Sequence, residues 1–500
     1  MRHAMGFCRE TRPESCGFIL FGATGDLAAR KIIPALFGLI SKKLMPKEFY
    51  LLFVGRTPLE PEAFKARISA ALRDAGFKPL PGELDGLLAR AEYLRADYDS
   101  DGFYLRLQNR LTELDQKYHI SRKRLFYLAT PPAAFEPITE KLKASRLLYD
   151  AADTAAWSRL IIEKPYGSSL ESACRLDTSL KENAAESQIY RIDHFTGKET
   201  VQNILALRAT NSVFDETWNN RFIDHVQITV FEQLGLEGRT AFFERMGLAR
   251  DMMSHIFQLA AVTAMDLPPS FRDTDFKLEK QKFFASIPLF KAEEAGKASV
   301  RGQYTASAKF PKSYRDETGA APESQTETFL AFRFFVENER WRGVPFYVRA
   351  GKKMNRKKTK IAVVYKKPAH GMFARSGDDF SNIFTMNIQP EETMLFDLNT
   401  KHPGPRLCFT SRTMKLNYRE HGGETLSPTD YERLLMDAMA GDQTLFLSAF
   451  EMEFMWRFVS PMLKSWADGR DSAPLYFYPG GSTGPKAARS LIEKDGRKWL

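Results

Sequence analysis

Five hundred residues exceed what one compact core usually holds, about 100–200 residues per domain, so two or more lobes are expected. A hydrophobic share of 43% and an aromatic share of 12% exclude a disordered chain. The net charge of +10 leaves three partners open: nucleic acid, an anionic membrane surface, or a small polyanionic substrate and cofactor.

Residues 1–15 read as a short N-terminal tail with basic residues and no apolar segment of a secretory signal. Gly17–Phe21 is a short apolar run that stops at glycine, the pattern of a buried parallel strand. Asp26–Leu44 then places Leu27, Ile32, Ile33, Leu36, Leu39 and Ile40 at helical spacing. Further strands are predicted at Tyr50–Gly55, Tyr93–Tyr98, Leu125–Thr130 and Leu160–Glu163, with helices at Pro61–Ala75 and Asp101–Lys117 between them. Strands alternating with helices predict a Rossmann-type, doubly wound parallel sheet over residues 16–190. In such sheets ligands bind at the carboxyl ends of the strands.

From residue 191 to 500 the pattern changes. Val226–Phe231, Phe329–Val336, Pro345–Ala350, Lys360–Tyr365 and Phe384–Ile388 are strand-like and mostly lack crossover helices between them. An α+β domain with a large, mostly antiparallel sheet is expected, serving substrate binding and oligomerisation. Helices are expected at Leu248–Met265 and Asp430–Leu447, and 291–326 reads as an exposed polar connection. The four cysteines, Cys8, Cys16, Cys174 and Cys408, suit neither a zinc site nor a disulfide scaffold. Reduced thiols and a cytoplasmic protein are expected, with no metal. No run of about 18 apolar residues appears, so no membrane helix is expected.

The turn Gly22-Ala23-Thr24-Gly25-Asp26-Leu27-Ala28 follows a strand and opens a helix. Its glycines let backbone N–H groups approach a pyrophosphate, the helix N-terminus favours negative charge, and Ala28 keeps the helix close to the strand. Dinucleotide binding is expected at Gly22, Thr24, Gly25, Asp26 and Leu27. After the second strand stands Arg56, with no acid until Glu60; arginine there suits a 2′-phosphate, so NADP is preferred over NAD.

Oxidising an alcohol requires a base, and histidine is the usual one. Of eight histidines, His3 is in the tail, His119 and His370 lie in basic segments, His402 and His421 lie among Pro and Gly, and His225 is within a strand. His194 and His255 remain. His255 shares a helical face with Asp251, which is also the pattern of a simple helix pair. His194 belongs to Arg191–Glu199, RIDHFTGKE, whose crowded charge suits either a solvated loop or a polar ligand. Lys164 ends a strand within Glu163-Lys164-Pro165.

Taken together, GATGDLA, LATPP, RLIIEKPYG, QIYRIDHFTGKE, EGR with ARDMMSH, VRAGKKM, IQPEE and YERLLMDAM resemble the glucose-6-phosphate dehydrogenase family, in its order and over nearly the whole chain. The resemblance implies oxidation of glucose 6-phosphate at C1 with NADP. It implies that His255 takes the C1-hydroxyl proton, that Asp193 holds the imidazolium, and that Lys164 meets substrate and cofactor. It implies His194 and Lys198 on the 6-phosphate, Glu232 and Asp251 on sugar hydroxyls, and Lys352 and Lys357 on the substrate, with Thr24, Asp26 and Arg56 on the dinucleotide. A homodimer or homotetramer is expected; a nucleic-acid partner is not. A dehydrogenase for unphosphorylated sugars shares the EKP element and is the alternative.

The sequence departs from the family at two places. Phe195-Thr196 stands where the family has Tyr-Leu, so a phenol that would donate to the phosphate is absent. One hydrogen bond to a charged group is worth about 1.5–3 kcal/mol, so weaker sugar-phosphate binding is expected unless Thr196 or a lysine compensates. The loop before Arg56 is also shorter than in many members.

Overall fold

The computed structural model describes residues 12–153, 155–236, 238–270, 272–368, 380–417, 428–467 and 473–500. Most of the expected N-terminal tail, with His3 and Cys8, lies outside the described residues, as do Glu237, His370 and His421. Two compact units form, one of Met1–Gly167, Glu171–Gly197 and Leu426–Ala449, the other of Ser168–Leu170, Lys198–Thr425 and Phe450–Leu500.

The first unit carries a six-stranded parallel sheet. Its strands are β1 (Cys16–Phe21), β2 (Phe49–Gly55), β3 (Ala91–Arg95), β4 (Lys123–Leu128), β5 (Trp157–Ile162) and β6 (Ile189–Arg191). Their spatial order is β3-β2-β1-β4-β5-β6. β1 and β2 are buried along their whole length, which is why both read as continuous apolar runs. The chain order reverses between β1 and β4, and a crevice at such a point is where doubly wound sheets take ligands. β6 is only three residues long and was not anticipated.

Leu426–Ala449 joins this unit although it is remote in sequence. Its helix, Asp430–Ala440, has Leu434, Leu435, Ala438 and Met439 in the same apolar core as β1 and β2. Glu432 pairs with Lys42 at 2.5 Å, and the Arg159 guanidinium donates to the carbonyls of Ala438 and Met439. The helix expected to reach Leu447 stops at Ala440, because Gly441 takes a left-handed conformation that ends it (φ 86°).

The second unit carries nine strands: β7 (Ile223–Phe231), β8 (Ser299–Thr305), β9 (Phe329–Phe334), β10 (Phe346–Gly351), β11 (Lys358–Tyr365), β12 (Ile383–Gln389), β13 (Thr393–Lys401), β14 (Phe409–Asn417) and β15 (Leu475–Pro479). They are ordered β14-β13-β12-β11-β7-β10-β9-β8-β15. The pairs β7–β10 and β8–β15 are parallel; the others are antiparallel, as expected.

The expectation of an exposed connection at 291–326 is corrected, because β8 lies inside that stretch and is buried from Ser299 to Tyr304. Its polar residues tolerate burial because they bond to carbonyls: Gln303 donates to Ser324 and Thr326, and Arg301 to Ala473. The long helix Ala449–Ala467 was not anticipated either.

Candidate active site

In the first unit the turn after β1 is fixed by backbone geometry. Gly22 has φ 81°, and a Cβ there would stand 2.4 Å from the Ala129 carbonyl oxygen, so only glycine fits. The Gly25 N–H closes the turn on the Gly22 carbonyl at 2.9 Å. Ala28 is fully buried where the helical segment begins, and the chain then runs into the helix Ile33–Ser41.

Two residues that pattern reading missed brace this turn. Tyr98 accepts the Gly22 N–H at 3.1 Å, and Arg67 donates to the Thr24 carbonyl. Neither belongs to a local motif, since Tyr98 follows β3 and Arg67 lies on the helix Pro61–Asp74. Asp26 is exposed and, among the described residues, forms one solvated ion pair, with Arg30 at 3.6 Å. Arg56, just past β2, is exposed and has no ion pair among the described residues. A glycine cradle that a Cβ would fill, with a guanidinium at the next strand end, fits a dinucleotide with its 2′ substituent.

Lys164 follows β5 in a cis Lys164–Pro165 bond. Its neighbour Glu163 accepts from Tyr127 at 2.5 Å and from Tyr431 at 3.3 Å, and loss of solvent raises the pKa of that carboxyl. Tyr166 donates to the Ile192 carbonyl at 2.6 Å, tying the end of β5 to the start of the charged stretch.

RIDHFTGKE separates by role. Arg191 is buried and structural: its guanidinium pairs with Asp177 at 2.5 Å and with Glu186 at 2.7 Å. Asp193 is fully buried, and its Oδ1 accepts the Phe195 N–H at 3.0 Å, which sets the carboxyl against its own turn. The Thr196 hydroxyl engages the carbonyls of Asp193 (2.7 Å) and Leu445 (2.5 Å), so it is committed to the backbone. Phe195 is buried with its ring 5.1 Å from that of half-buried His194. Gly197 is required because a Cβ would come 2.6 Å from the Asp430 carbonyl oxygen.

In the second unit, β7 and β10 run parallel as neighbours, so the residues after their carboxyl ends stand side by side. These are Glu232 and Lys352. The Lys352 ammonium lies 2.5 Å from the Glu232 carboxylate and 3.9 Å from that of Asp251, over the Phe243 ring at 5.2 Å. Lys352 is buried, and Glu232 and Asp251 are partly open. The backbone holds the pair in place through Glu232 N–H to the Gly351 carbonyl (2.8 Å) and Lys352 N–H to the Thr328 carbonyl (2.9 Å).

Asp251 and His255 occupy the helix Thr240–Ala264, one turn apart, and His255 is 3% exposed. That helix breaks at Gly247 (φ 63°). Glu327 caps its second segment, where Oε1 accepts the Ala249 N–H at 2.9 Å and the main-chain carbonyl accepts that of Leu248 at 3.1 Å. No local pattern pointed to Glu327.

Lys198 precedes the helix Glu199–Thr210. Lys357 is exposed and lines a cavity of about 690 Å³ with Gln233, Arg356, Lys358 and Lys360. The described contacts therefore join Glu232, Asp251 and Lys352, and do not join Lys357 to them. Lys164, Asp193 and His194 belong to the first unit, His255 to the second.

Residues 19–203 match the family model described as "Glucose-6-phosphate dehydrogenase, NAD binding domain", and residues 205–500 match "Glucose-6-phosphate dehydrogenase, C-terminal domain". A relative from Chlamydia pneumoniae, named glucose-6-phosphate 1-dehydrogenase, is 38% identical over 97% of this chain and 96% of its own. One of the same name from Bacillus subtilis is 36% identical over 96% of this chain and 97% of its own. A solved structure described as glucose-6-phosphate dehydrogenase in complex with glucose-6-phosphate superposes with a TM-score of 0.89. It is 30% identical and covers 98% of this chain and 99% of that one.

Proposed function

The chain belongs to the glucose-6-phosphate dehydrogenase family, and from that premise we propose that it oxidises D-glucose 6-phosphate at C1 to 6-phospho-D-glucono-1,5-lactone with NADP, the first step of the oxidative pentose phosphate pathway. The observation that carries this reading is the grouping of Glu232, Asp251 and Lys352 at the ends of β7 and β10. Two carboxylates accept hydrogen bonds from sugar hydroxyls, and the lysine ammonium beside them, 2.5 Å from Glu232 and 3.9 Å from Asp251, holds them in place.

When bound, the nicotinamide takes the hydride from C1. The chain's own residues handle the proton and the positioning. His255 receives the C1-hydroxyl proton, which leaves as the C1–H bond breaks and the C1=O bond forms. Asp193 is assigned to steady the imidazolium; its burial and its turn bond suit a carboxylate that must stay fixed. Lys164 serves substrate and cofactor. His194 and Lys198 take the 6-phosphate, with Lys357 from the basic strand end. Gly22, Thr24, Gly25, Asp26 and Leu27 cradle the pyrophosphate, and Arg56 takes the 2′-phosphate. NAD serves as a weaker alternative.

Because the Thr196 hydroxyl is spent on carbonyls, the phenol missing at Phe195 is left to the lysines to offset. A homodimer or homotetramer fits the outer strand β14, which exposes Phe409, Met414 and Leu416. A cytoplasmic setting fits Cys16, Cys174 and Cys408, which form no disulfide among the described residues. Among the described residues no helix is long and apolar enough to cross a membrane. The deciding assay is absorbance at 340 nm with glucose 6-phosphate and NADP against glucose and NAD. Strong preference for the first pair is expected; comparable rates with glucose would favour a dehydrogenase of unphosphorylated sugars.

A further inference from the structure

The parallel sheet of the first unit has a second end. The glycine turn stands at the carboxyl ends of its strands, and at the amino end lies a cavity of about 1080 Å³ whose lining includes Asp115, His119, Arg122, Arg124, Lys143, Arg146 and Tyr149. Cavities of about 300–1000 Å³ are the size that holds small-molecule ligands. None of the residues assigned above to cofactor or sugar phosphate takes part.

Charge in this cavity is unbalanced. Its acids are engaged: Asp115 accepts from Arg124 at 2.7 Å and from Tyr50 at 2.8 Å, and Asp150 accepts the Ala152 N–H at 2.9 Å. Arg122, Lys143 and Arg146 are exposed and have no ion pair among the described residues. Arg124 is 3% exposed and stands behind them, fixed by its pair with Asp115. Arg122 and Arg124 also lie near the ring of Tyr149, at 5.5 and 5.8 Å.

The backbone singles out the same residues. Five non-glycine residues among those described have a positive φ, and three of them line this cavity: His119 (53°), Arg122 (53°) and Arg146 (55°). His119 and Arg146 stand just past the helices Asp101–Lys117 and Phe135–Ala144, where glycine is the favoured residue. The following N–H groups close the ends in the usual way, Ile120 on Asp115 at 2.8 Å and Leu147 on Leu142 at 2.9 Å. A cation near a helix C-terminus is favourable, which accounts for Lys143. It does not account for side chains kept where glycine is easier, nor for Arg122, which precedes β4. Strain of this kind in a cavity marks positions held for a ligand.

We propose that this cavity binds a small polyanion carrying two or more phosphoryl groups, at a site separate from the positions taken by cofactor and sugar phosphate. The exposed Arg122, Lys143 and Arg146 meet the phosphoryl groups, and the buried Arg124 adds its charge from behind.

The test is titration calorimetry of inorganic pyrophosphate into the full chain, in excess glucose 6-phosphate and without cofactor. The wild type is compared with the double variant Arg122→Gly, Arg146→Gly. Glycine relieves both left-handed positions, so the variant is expected to keep or raise its Tm and its kcat/KM while pyrophosphate Kd rises at least tenfold. A Kd unchanged between the two proteins places the binding elsewhere and overturns the proposal. So does a lowered Tm, which assigns the two arginines to stability. As a second variant on an exposed residue, Lys143→Gln is expected to raise Kd about threefold; an unchanged Kd there counts against the site.

Discussion

In the first unit the turn proposed for the pyrophosphate is a main-chain device, set out by Gly22 and Gly25 and braced from behind by Tyr98 and Arg67. In the second unit the cluster proposed for the sugar is made of charged side chains, Glu232, Asp251 and Lys352, carried on strand ends and a capped helix. The backbone cradle depends on where a Cβ cannot go. The charged cluster depends on keeping three side chains mutually paired. A dinucleotide pyrophosphate presents the same shape to every such enzyme, and amide donors suffice for it. A sugar has to be told from its isomers, which calls for directional acceptors.

The largest expected effect tests whether chemistry and cofactor binding separate along this line. His255→Ala should lower kcat about 10²–10⁴-fold, while NADP affinity, read by titration, stays close to that of the wild type. A near-normal kcat removes His255 from the role of base.

Next, Lys352→Met leaves two carboxylates facing each other with no cation between them. KM for glucose 6-phosphate should rise about 10–100-fold, in keeping with a charged hydrogen bond of about 1.5–3 kcal/mol, and KM for NADP should change little.

The converse substitution is Gly22→Ala. Its Cβ would meet the Ala129 carbonyl oxygen at 2.4 Å, and the left-handed backbone costs a further 1–2 kcal/mol or about that. KM for NADP should rise about tenfold with KM for the sugar phosphate unchanged. Equal rises in both would break the comparison.

The smallest effect is on stability, and here the units have opposite signs. Burial raises Asp437 in the first unit from 3.8 to about 7, with Arg433 opposing and Asp442 reinforcing. The folded state keeps that proton while the unfolded state has lost it, so stability falls as pH rises from 3.8 to about 7. Burial lowers Lys358 in the second unit from 10.5 to about 7, helped by Lys360, Arg349 and Arg356. There the unfolded state holds the extra proton, so stability rises with pH from about 7 to 10.5. Urea midpoints across pH should lose the first slope in Asp437→Asn and the second in Lys358→Met.

How much of this was legible in the sequence follows from how local each signal is. β1, β2 and the glycine turn could be read because full burial on both sheet faces writes an unbroken apolar run. β8 could not, because Arg301 and Gln303 are polar and their partners lie elsewhere in the chain. Asp251 and His255 could be grouped by helical spacing. The pairing of Asp251 with Lys352, beside Glu232, could not be read from spacing, since it arises from one parallel contact in a mostly antiparallel sheet. Arg191 adds to the crowded charge of RIDHFTGKE but is a brace, and its partners Asp177 and Glu186 are not visible in a nine-residue window.

The remote contribution of Leu426–Ala449 to the first unit bears on how the protein is made. Lys42 waits for Glu432, 390 positions further along, before their ion pair can form. Until then the faces that will meet Leu434, Leu435 and Met439 have nothing to cover them. During synthesis the nucleotide-binding unit therefore stays open while most of the second unit emerges, a case of high contact order within a parallel fold. Expressed alone as residues 12–197, it should be recovered in aggregates, and adding a separate 426–449 peptide during refolding should return part of it to solution.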